Sequence, residues 1–362
     1  MLKFLARRIG TMLLTALCLT FIVFVLTNLH PNLERLAKTQ ASARMTDAQV
    51  QTWLQQHGYA EPMLTRYGEW LGIVPGWTGK NAETGKPTGR CLNPNDPAAP
   101  APTFCGVAQG YWGFSTVFHD PVSQILTVRL EATGWLMLWV IIVMIPTSLV
   151  VGILAGMREG TRMDRILSTL SIASTATPEY VSGVVLIALL GSTIVGLSPI
   201  LHHWGLIHGG ALFKGSAASA LSHRTFENFT LPVVTVSLYG TGYIARMTRA
   251  SMTEVMTAQY IRTARLKGVS FRSVVLKHAL RNALIAPFTV IMLQIPWLLN
   301  GVVITETLFN YKGFGWTLVQ AAENNDIELL LGCSVVAVVV VLLTQLISDI
   351  GYVYLNPRIR IS

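Results

Sequence analysis

Charge is scarce in this sequence. Asp, Glu, Lys and Arg make up 12% of its 362 residues, whereas soluble domains carry about 25%. A chain this poor in charge cannot clothe a globular surface in solvated groups, so an ordinary soluble domain is excluded. The apolar fraction of 51% and the mean hydropathy of +0.49 point instead to a membrane protein. Acid is the scarcer sign, leaving a net charge of +9. A basic balance serves either nucleic acid or an anionic membrane surface. Here the basic residues flank apolar runs and no polar face interleaves them with aromatics, which excludes nucleic acid as a partner.

Cysteine is also sparse. Cys18 and Cys333 lie within apolar runs and read as small core residues. Cys91 and Cys105 share one polar loop, 14 residues apart. They form a disulfide if that loop faces an oxidising compartment and are two free thiols otherwise.

Recognisable catalytic chemistry is missing. Gly79 to Gly85-Lys86-Pro87 has a glycine spacing one residue too long for a nucleotide-binding loop, and Pro stands where Ser or Thr would hold magnesium. No Ser-His-Asp set, Cys-His set or paired-carboxylate site stands out. His202, His203 and His208 have no carboxylate or cysteine nearby in sequence, so a solvated loop is expected there and no metal site. The chain is read as no enzyme and as binding no cofactor, so any energy it uses must come from another chain.

Long apolar runs are what the sequence has in abundance. A membrane-spanning helix needs about 20 apolar residues. The first candidate runs from Ile9 to Leu29 behind Lys3, Arg7 and Arg8. Its length, and the lack of a small-x-small cleavage site before His30-Pro31-Asn32, mark a retained helix rather than a signal peptide. Five more spans are expected at about 131–156, 166–195, 230–250, 283–306 and 329–354. Pro146, Pro178, Pro232, Pro287 and Pro296 lie within them and mark kinks, which membrane helices tolerate. Between the first and second spans lies a polar stretch. In it Thr46-x-x-Gln49 predicts a capping box opening a helix that closes near Gly58. A second short amphipathic helix is predicted from Pro62 to Leu71. Residues from Gly72 to Gly106 have turn composition without periodicity.

Lys and Arg orient the spans. Sixteen fall in the N-terminus, 157–165, 246–281 and the tail at Arg358 and Arg360, against Lys214, Arg224 and Lys312 in the opposite short loops. Six helices with both termini in the cytoplasm fit every short loop, and the Cys91–Cys105 loop then lies outside.

The segment between the fourth and fifth spans is the most informative. It contains Tyr260-Ile-Arg262-Thr263-Ala264-Arg265-Leu-Lys267-Gly268-Val-Ser270-Phe-Arg272 and continues to Arg281-Asn282-Ala. On its own chemistry it is a basic amphipathic helix broken by glycine. A solvated positive-inside loop explains it as readily as a docking element. Ala264 and Gly268, small residues four apart, would admit close approach of another backbone.

This segment resembles the EAA loop of binding-protein-dependent ABC importer permeases, in its peptide-permease form. Arg262 and Thr263 stand where Glu and Ala are typical, as the R-T-A-x-x-K-G run of the peptide variant has it. Leu308-Phe-Asn-Tyr-Lys-Gly-Phe-Gly315 with Ala321-Ala322 and Asp326 resembles the family's segment after the fifth span. Gly110-Tyr-Trp-Gly113-Phe-Ser115 resembles its Gly-x-x-Gly-x-Ser element, and Leu231-Pro232 opens the fourth span as in relatives. The long first external loop resembles the B-type of the two paired permeases. The likeness covers residues 1–30 and 108–362, leaving about 73–107 as an insertion.

The resemblance implies an all-α fold with six transmembrane helices, a type I importer domain, and an extracytoplasmic subdomain in the first loop. It divides the chain into a helix at 1–29, an external segment at 30–130, and a five-helix core at 131–362 with a cytoplasmic coupling loop at 251–282. It implies import of di- or oligopeptides, or in related systems of nickel chelates, sugars or opine-like solutes. The implied partners are a homologous permease, an external solute-binding protein and two ATPase subunits that hold ATP and magnesium in the bacterial inner membrane system. Arg262, Thr263, Ala264, Arg265, Lys267, Gly268, Ser270 and Arg272 would form the ATPase contact.

Ionisable residues inside the spans are the candidates for the translocation path, since each costs free energy in lipid. Glu179 follows Pro178 near the middle of the third span, where the family usually has an uncharged residue. It either lines the path and favours a cationic group, or it pairs with a neighbouring helix or is protonated. Glu131 and Glu306 fall at outer ends of spans, at the external mouth or simply at the interface. A stand-alone secondary transporter is the reading of another class. Such transporters commonly carry internal repeats, and no clear repeat relates the two halves here. A membrane receptor or anchoring subunit would also suit a basic cytoplasmic loop.

Overall fold

The computed structural model describes residues 2–80, 87–92, 102–207 and 210–355. It is predominantly helical and divides into two compact units, one of Met1–Arg129 with Thr317–Val340 and one of Leu130–Trp316 with Val341–Ser362.

The first unit begins with helix Leu2–Thr27. Its apolar part, Ala6–Thr27, is 22 residues long, about 33 Å at 1.5 Å per residue. Leu13, Leu14 and Leu17 are exposed along it, as a lipid-facing surface requires. Helix His30–Gln40 follows, with Pro31 in its first turn and Leu33, Leu36 and Ala37 buried at helical spacing. The capping box at Thr46 forms as its spacing predicts, Thr46 N–H donating to Gln49 Oε1 at 2.9 Å. It opens helix Asp47–Gln56. Helix Met63–Leu71 closes on Gly72 in the left-handed conformation. Phe24, Leu33, Leu36, Val50, Leu54, Trp70, Ile327 and Leu331 share one core. Each large apolar side chain fully buried there contributes roughly 1.5–3 kcal/mol.

Within 73–107, Thr78–Lys80 pairs antiparallel with Pro87–Gly89, and the Cys91–Cys105 disulfide follows with Cα atoms 5.5 Å apart. The Gly-x-x-Gly-x-Ser element has a precise use. Ser115 Oγ donates to Asp326 Oδ2 at 2.6 Å, Val117 N–H donates to the same oxygen, and Leu329 N–H donates to Asp326 Oδ1. Asp326 thus caps helix Ile327–Leu355 while holding the loop before helix Val122–Gly156. Gly113 has φ +85°, and a β-carbon there would meet the Glu328 side chain.

The second unit is built around helix Phe226–Met256, which opens with a Thr225/Asn228 capping box. Its buried Leu231, Val236 and Ile244 pack with Leu136, Val140, Met144, Leu298 and Phe309. Proline has unequal effects. Pro146, Pro232 and Pro296 lie inside continuous helices, whereas at Pro178 the chain breaks, and Arg162–Ala176 and Glu179–Gly191 meet at 108°. Phe271–Ala283 and Ile285–Leu298 meet at 50°.

Three helices among the described residues are long and apolar enough to cross a membrane, or five if each bent pair is one span. Helix Phe226–Met256 is not among them. It buries much of its surface against other helices, and Asn228, Thr235, Ser237, Arg246 and Arg249 interrupt its apolar character. Polytopic membrane architecture follows directly; a sixth span depends on this polar helix.

Candidate functional site

The basic segment singled out in the sequence forms helix Gln259–Leu266. Ile261 is fully buried and anchors it to Met252, Val274, Val275, Ala279 and Ala283. Asn282 Nδ2 donates to the Tyr260 hydroxyl at 2.8 Å, and the Arg265 guanidinium stands 5.8 Å from the Phe271 ring centre. With one face so fixed, Arg262, Thr263, Arg265, Lys267, Gly268, Ser270 and Arg272 are exposed and Ala264 is half-buried. All eight candidate contact residues therefore lie along one short helix and its exit. Leu266 stands among them 81% exposed. Attention to charge passed over it; an apolar residue inside a basic run was the available signal.

Gly268 has φ +75°. Gly268 N–H donates to Arg265 O at 3.0 Å and Val269 N–H to Ala264 O at 3.2 Å. This is the Schellman arrangement, in which glycine supplies the left-handed residue that stops the helix. The glycine therefore has a backbone reason for being there, in addition to its small size. Nearby, Arg249 clamps Asp164 through Nε–Oδ1 at 2.5 Å and Nη2–Oδ2 at 2.8 Å. This ties helix Arg162–Ala176 to the end of helix Phe226–Met256, just before the basic segment.

Glu179 is the first residue of helix Glu179–Leu186, immediately after the 108° break. Thr305 Oγ1 donates to its Oε1 at 2.5 Å. The carboxylate lines a cavity of about 340 Å³ whose wall includes Thr175, Pro178, Tyr239, Trp297 and Gly301. Tyr239 and Trp297 stack with ring centres 4.2 Å apart. A β-carbon at Gly301 would collide with Glu179, so the glycine keeps space for the acid. The cavity thus combines one carboxylate, a stacked aromatic pair and the open end of a broken helix. Such a donor set receives a cationic group against an apolar body.

The other two acids diverge. Glu131 is exposed. Glu306 is fully buried, receiving the Thr133 hydroxyl and the Trp316 N–H at 2.9 Å. Thr133 also accepts from Phe314 N–H, and the Tyr311 hydroxyl donates to Ala132 O at 2.7 Å. Glu306 therefore holds the Leu308–Gly315 turn in shape from within. His202 and His203 end a short helix, and His208 lies outside the described residues, as do Lys86, Arg358 and Arg360.

Residues 148–361 match the model of the family described as binding-protein-dependent transport system inner membrane component. The chain is similar to the probable peptide ABC transporter permease protein y4tP of Sinorhizobium fredii, at 34% identity over 70% of this chain and 77% of that protein. It is also similar to the di/tripeptide transport system permease protein DppB of Pseudomonas aeruginosa, at 30% identity over 99% of each. The dipeptide transport system permease protein DppB of Escherichia coli is 28% identical over 99% of each chain.

Proposed function

Because this chain belongs to the binding-protein-dependent transport system inner membrane component family, we propose that it is one permease subunit of an ATP-driven importer of di- or oligopeptides. The substrate class is supported by the dipeptide permeases that match along nearly their whole length. A nickel chelate, sugar or opine-like solute is the alternative cargo. In this reading the chain forms the path with a homologous permease and spans the inner membrane six times with both termini in the cytoplasm. Two ATPase subunits bind ATP and magnesium on the inside, and an external solute-binding protein delivers the peptide. No nucleic acid takes part.

The observation that carries the proposal is helix Gln259–Leu266. It is anchored through Ile261, displays Arg262, Arg265 and Lys267, and leaves Leu266 81% exposed. A bare leucine ringed by cations is costly to leave in water and suits a groove on an acidic partner. Closure of the ATPase pair around ATP would displace this helix. The displacement would pass through Ile261 to its packed neighbours Met252, Val274 and Val275, and so to the helices that carry them. The Arg249–Asp164 clamp extends the connection to the helix that ends at the Glu179 break. At that break, Glu179 would hold the peptide's ammonium group while Tyr239 and Trp297 face its side chains. Switching requires that peptide bind the two access states unequally. A carboxylate at a helix break, where small rotations alter its surroundings, supports that inequality. In the external segment, the 73–107 insertion with its Cys91–Cys105 disulfide would dock the solute-binding protein or guard the mouth.

Uptake of a labelled dipeptide by cells that depend on this chain tests the reading. Leu266→Asp should abolish uptake at normal membrane abundance, because it places a carboxylate in the partner's apolar groove. Undiminished uptake by that variant would overturn the proposed contact.

A further inference from the structure

The first unit contains a cavity that the transport reading does not use. Its volume is about 240 Å³, below the roughly 300–1,000 Å³ of ordinary small-molecule pockets. Arg66, Glu69, Tyr59, Trp53, Trp77 and Tyr111 line it. Arg66 and Glu69 are three residues apart on helix Met63–Leu71 and so share a face. Glu69 is 5% exposed and Arg66 8%.

Buried charges are normally paired and hydrogen-bonded. Arg90 and Glu328, in the same wall, pair through bonds of 3.1 and 3.4 Å, with Arg90 Nε left unpartnered among the described residues. Arg66 and Glu69 form no such pair. Among the described residues the Glu69 carboxylate has no hydrogen bond or ion pair. Arg66 donates to Asn28 Oδ1 and lies 5.0 Å from the Tyr59 ring centre, leaving most of its five N–H donors without a partner among the described residues. Burial is the largest influence on both, pushing the Glu69 carboxyl up and the Arg66 guanidinium down, and it outweighs the attraction of the opposite charges nearby.

Among the described residues the cavity therefore offers one carboxylate without a hydrogen bond, one guanidinium with donors to spare and a surround of aromatic rings. Among the described residues no three metal-ligating side chains converge, which disfavours a metal ion. A phosphate would meet Glu69 as a like charge. A molecule carrying both an ammonium and a carboxylate satisfies both groups at once, and aromatic faces favour the ammonium end.

We propose that this cavity binds a small zwitterion, an α-amino acid or a short dipeptide, with its ammonium on Glu69 and its carboxylate on Arg66. The volume limits the ligand to small side chains. The site belongs to the first unit alone and does not depend on the importer reading. Occupancy would neutralise two buried charges and stiffen helix Met63–Leu71.

The test is calorimetric titration of the purified full chain in lipid nanodiscs with L-alanine, L-alanyl-L-alanine, N-acetylated L-alanyl-L-alanine and L-alanyl-L-alanine amide. At least one free zwitterion should bind saturably at up to millimolar concentration. Acetylation of the amine or amidation of the carboxylate should each weaken dipeptide binding about tenfold or more, since each removes a charge-assisted bond. If only L-alanine binds, the site takes an amino acid. Glu69→Gln should weaken the zwitterion to a similar degree. Should that variant fail to fold, the capped dipeptides decide the matter on the wild-type chain. The proposal is overturned if no zwitterion binds, if capped and free dipeptides bind alike, or if a folded Glu69→Gln chain binds as wild type does. In each case the cavity holds only water or the ligand sits elsewhere.

Discussion

Replacing Gly268 separates two reasons for a glycine at the end of the proposed coupling helix. Its φ of +75° costs an L-residue about 1–2 kcal/mol, with Asn among the better tolerated. A β-carbon at this position meets nothing within 4 Å, so within this chain the cost is conformational and not steric. Taking about 1 kcal/mol for Ala, the capped helix end should lose roughly fivefold in population relative to its frayed form. Asn should lose less and Val more. The assay is the amount of ATPase that co-purifies with tagged Gly268→Asn, Gly268→Ala, Gly268→Val and Gly268→Arg chains of equal membrane abundance. The cap argument predicts Asn near wild type, Ala several-fold lower and Val below Ala. If Asn loses the ATPase as completely as Arg does, any side chain blocks a close backbone approach and the argument from the cap is refuted.

Removing Arg249 should destabilise the chain, because Asp164 is buried and would keep an uncompensated charge. Such a loss costs about 3–5 kcal/mol when fully buried. The Arg249 side chain is 30% exposed, which discounts it to roughly 2–3 kcal/mol. Arg249→Met should then lower the detergent melting temperature by roughly 3–4 °C, and Asp164→Leu added to it should restore most of the loss; no recovery would contradict the buried-charge explanation. Replacing Cys91 and Cys105 by Ser should remove roughly 2–4 kcal/mol of constraint from the external segment. Peptide uptake should fall while membrane insertion persists, and normal uptake at normal expression would remove the disulfide's proposed role. Glu179→Gln should reduce uptake of a free dipeptide about tenfold while leaving that of its N-acetylated form unchanged. Equal effects on both would mean that Glu179 supports the helix break and does not receive the ammonium.

Local signals in this sequence were readable where they depend on neighbouring residues. Thr46 and Gln49 make the capping box that their spacing calls for, and the turn-rich stretch after Gly72 contains only a short hairpin among its described residues. The basic run from Arg262 to Arg272 does form an exposed helix and its exit. Long-range partners were not readable. Ser115 and Asp326 stand in separate recognisable elements, and nothing local says that one donates to the other across 211 residues. Proline marked possible kinks but not their size. Pro178 lies at the 108° break and Pro287 in the first turn after the 50° bend, whereas Pro146, Pro232 and Pro296 are accommodated within packed helices. Glu306 sits at the outer end of its helix, but Thr133 and Trp316 enclose its carboxylate. Leu266 was obscured by the charges around it, since exposure of one apolar residue depends on which face Ile261 anchors.

Co-purification from gently solubilised membranes tests the central claim most directly. Tagged wild-type chain should bring down an ATPase and a second permease, and Leu266→Asp should retain the permease while losing the ATPase. A wild-type chain that brings no ATPase in mild detergent would contradict the account of an ATP-driven importer subunit. Equal ATPase recovery by both chains would contradict the docking surface assigned to helix Gln259–Leu266.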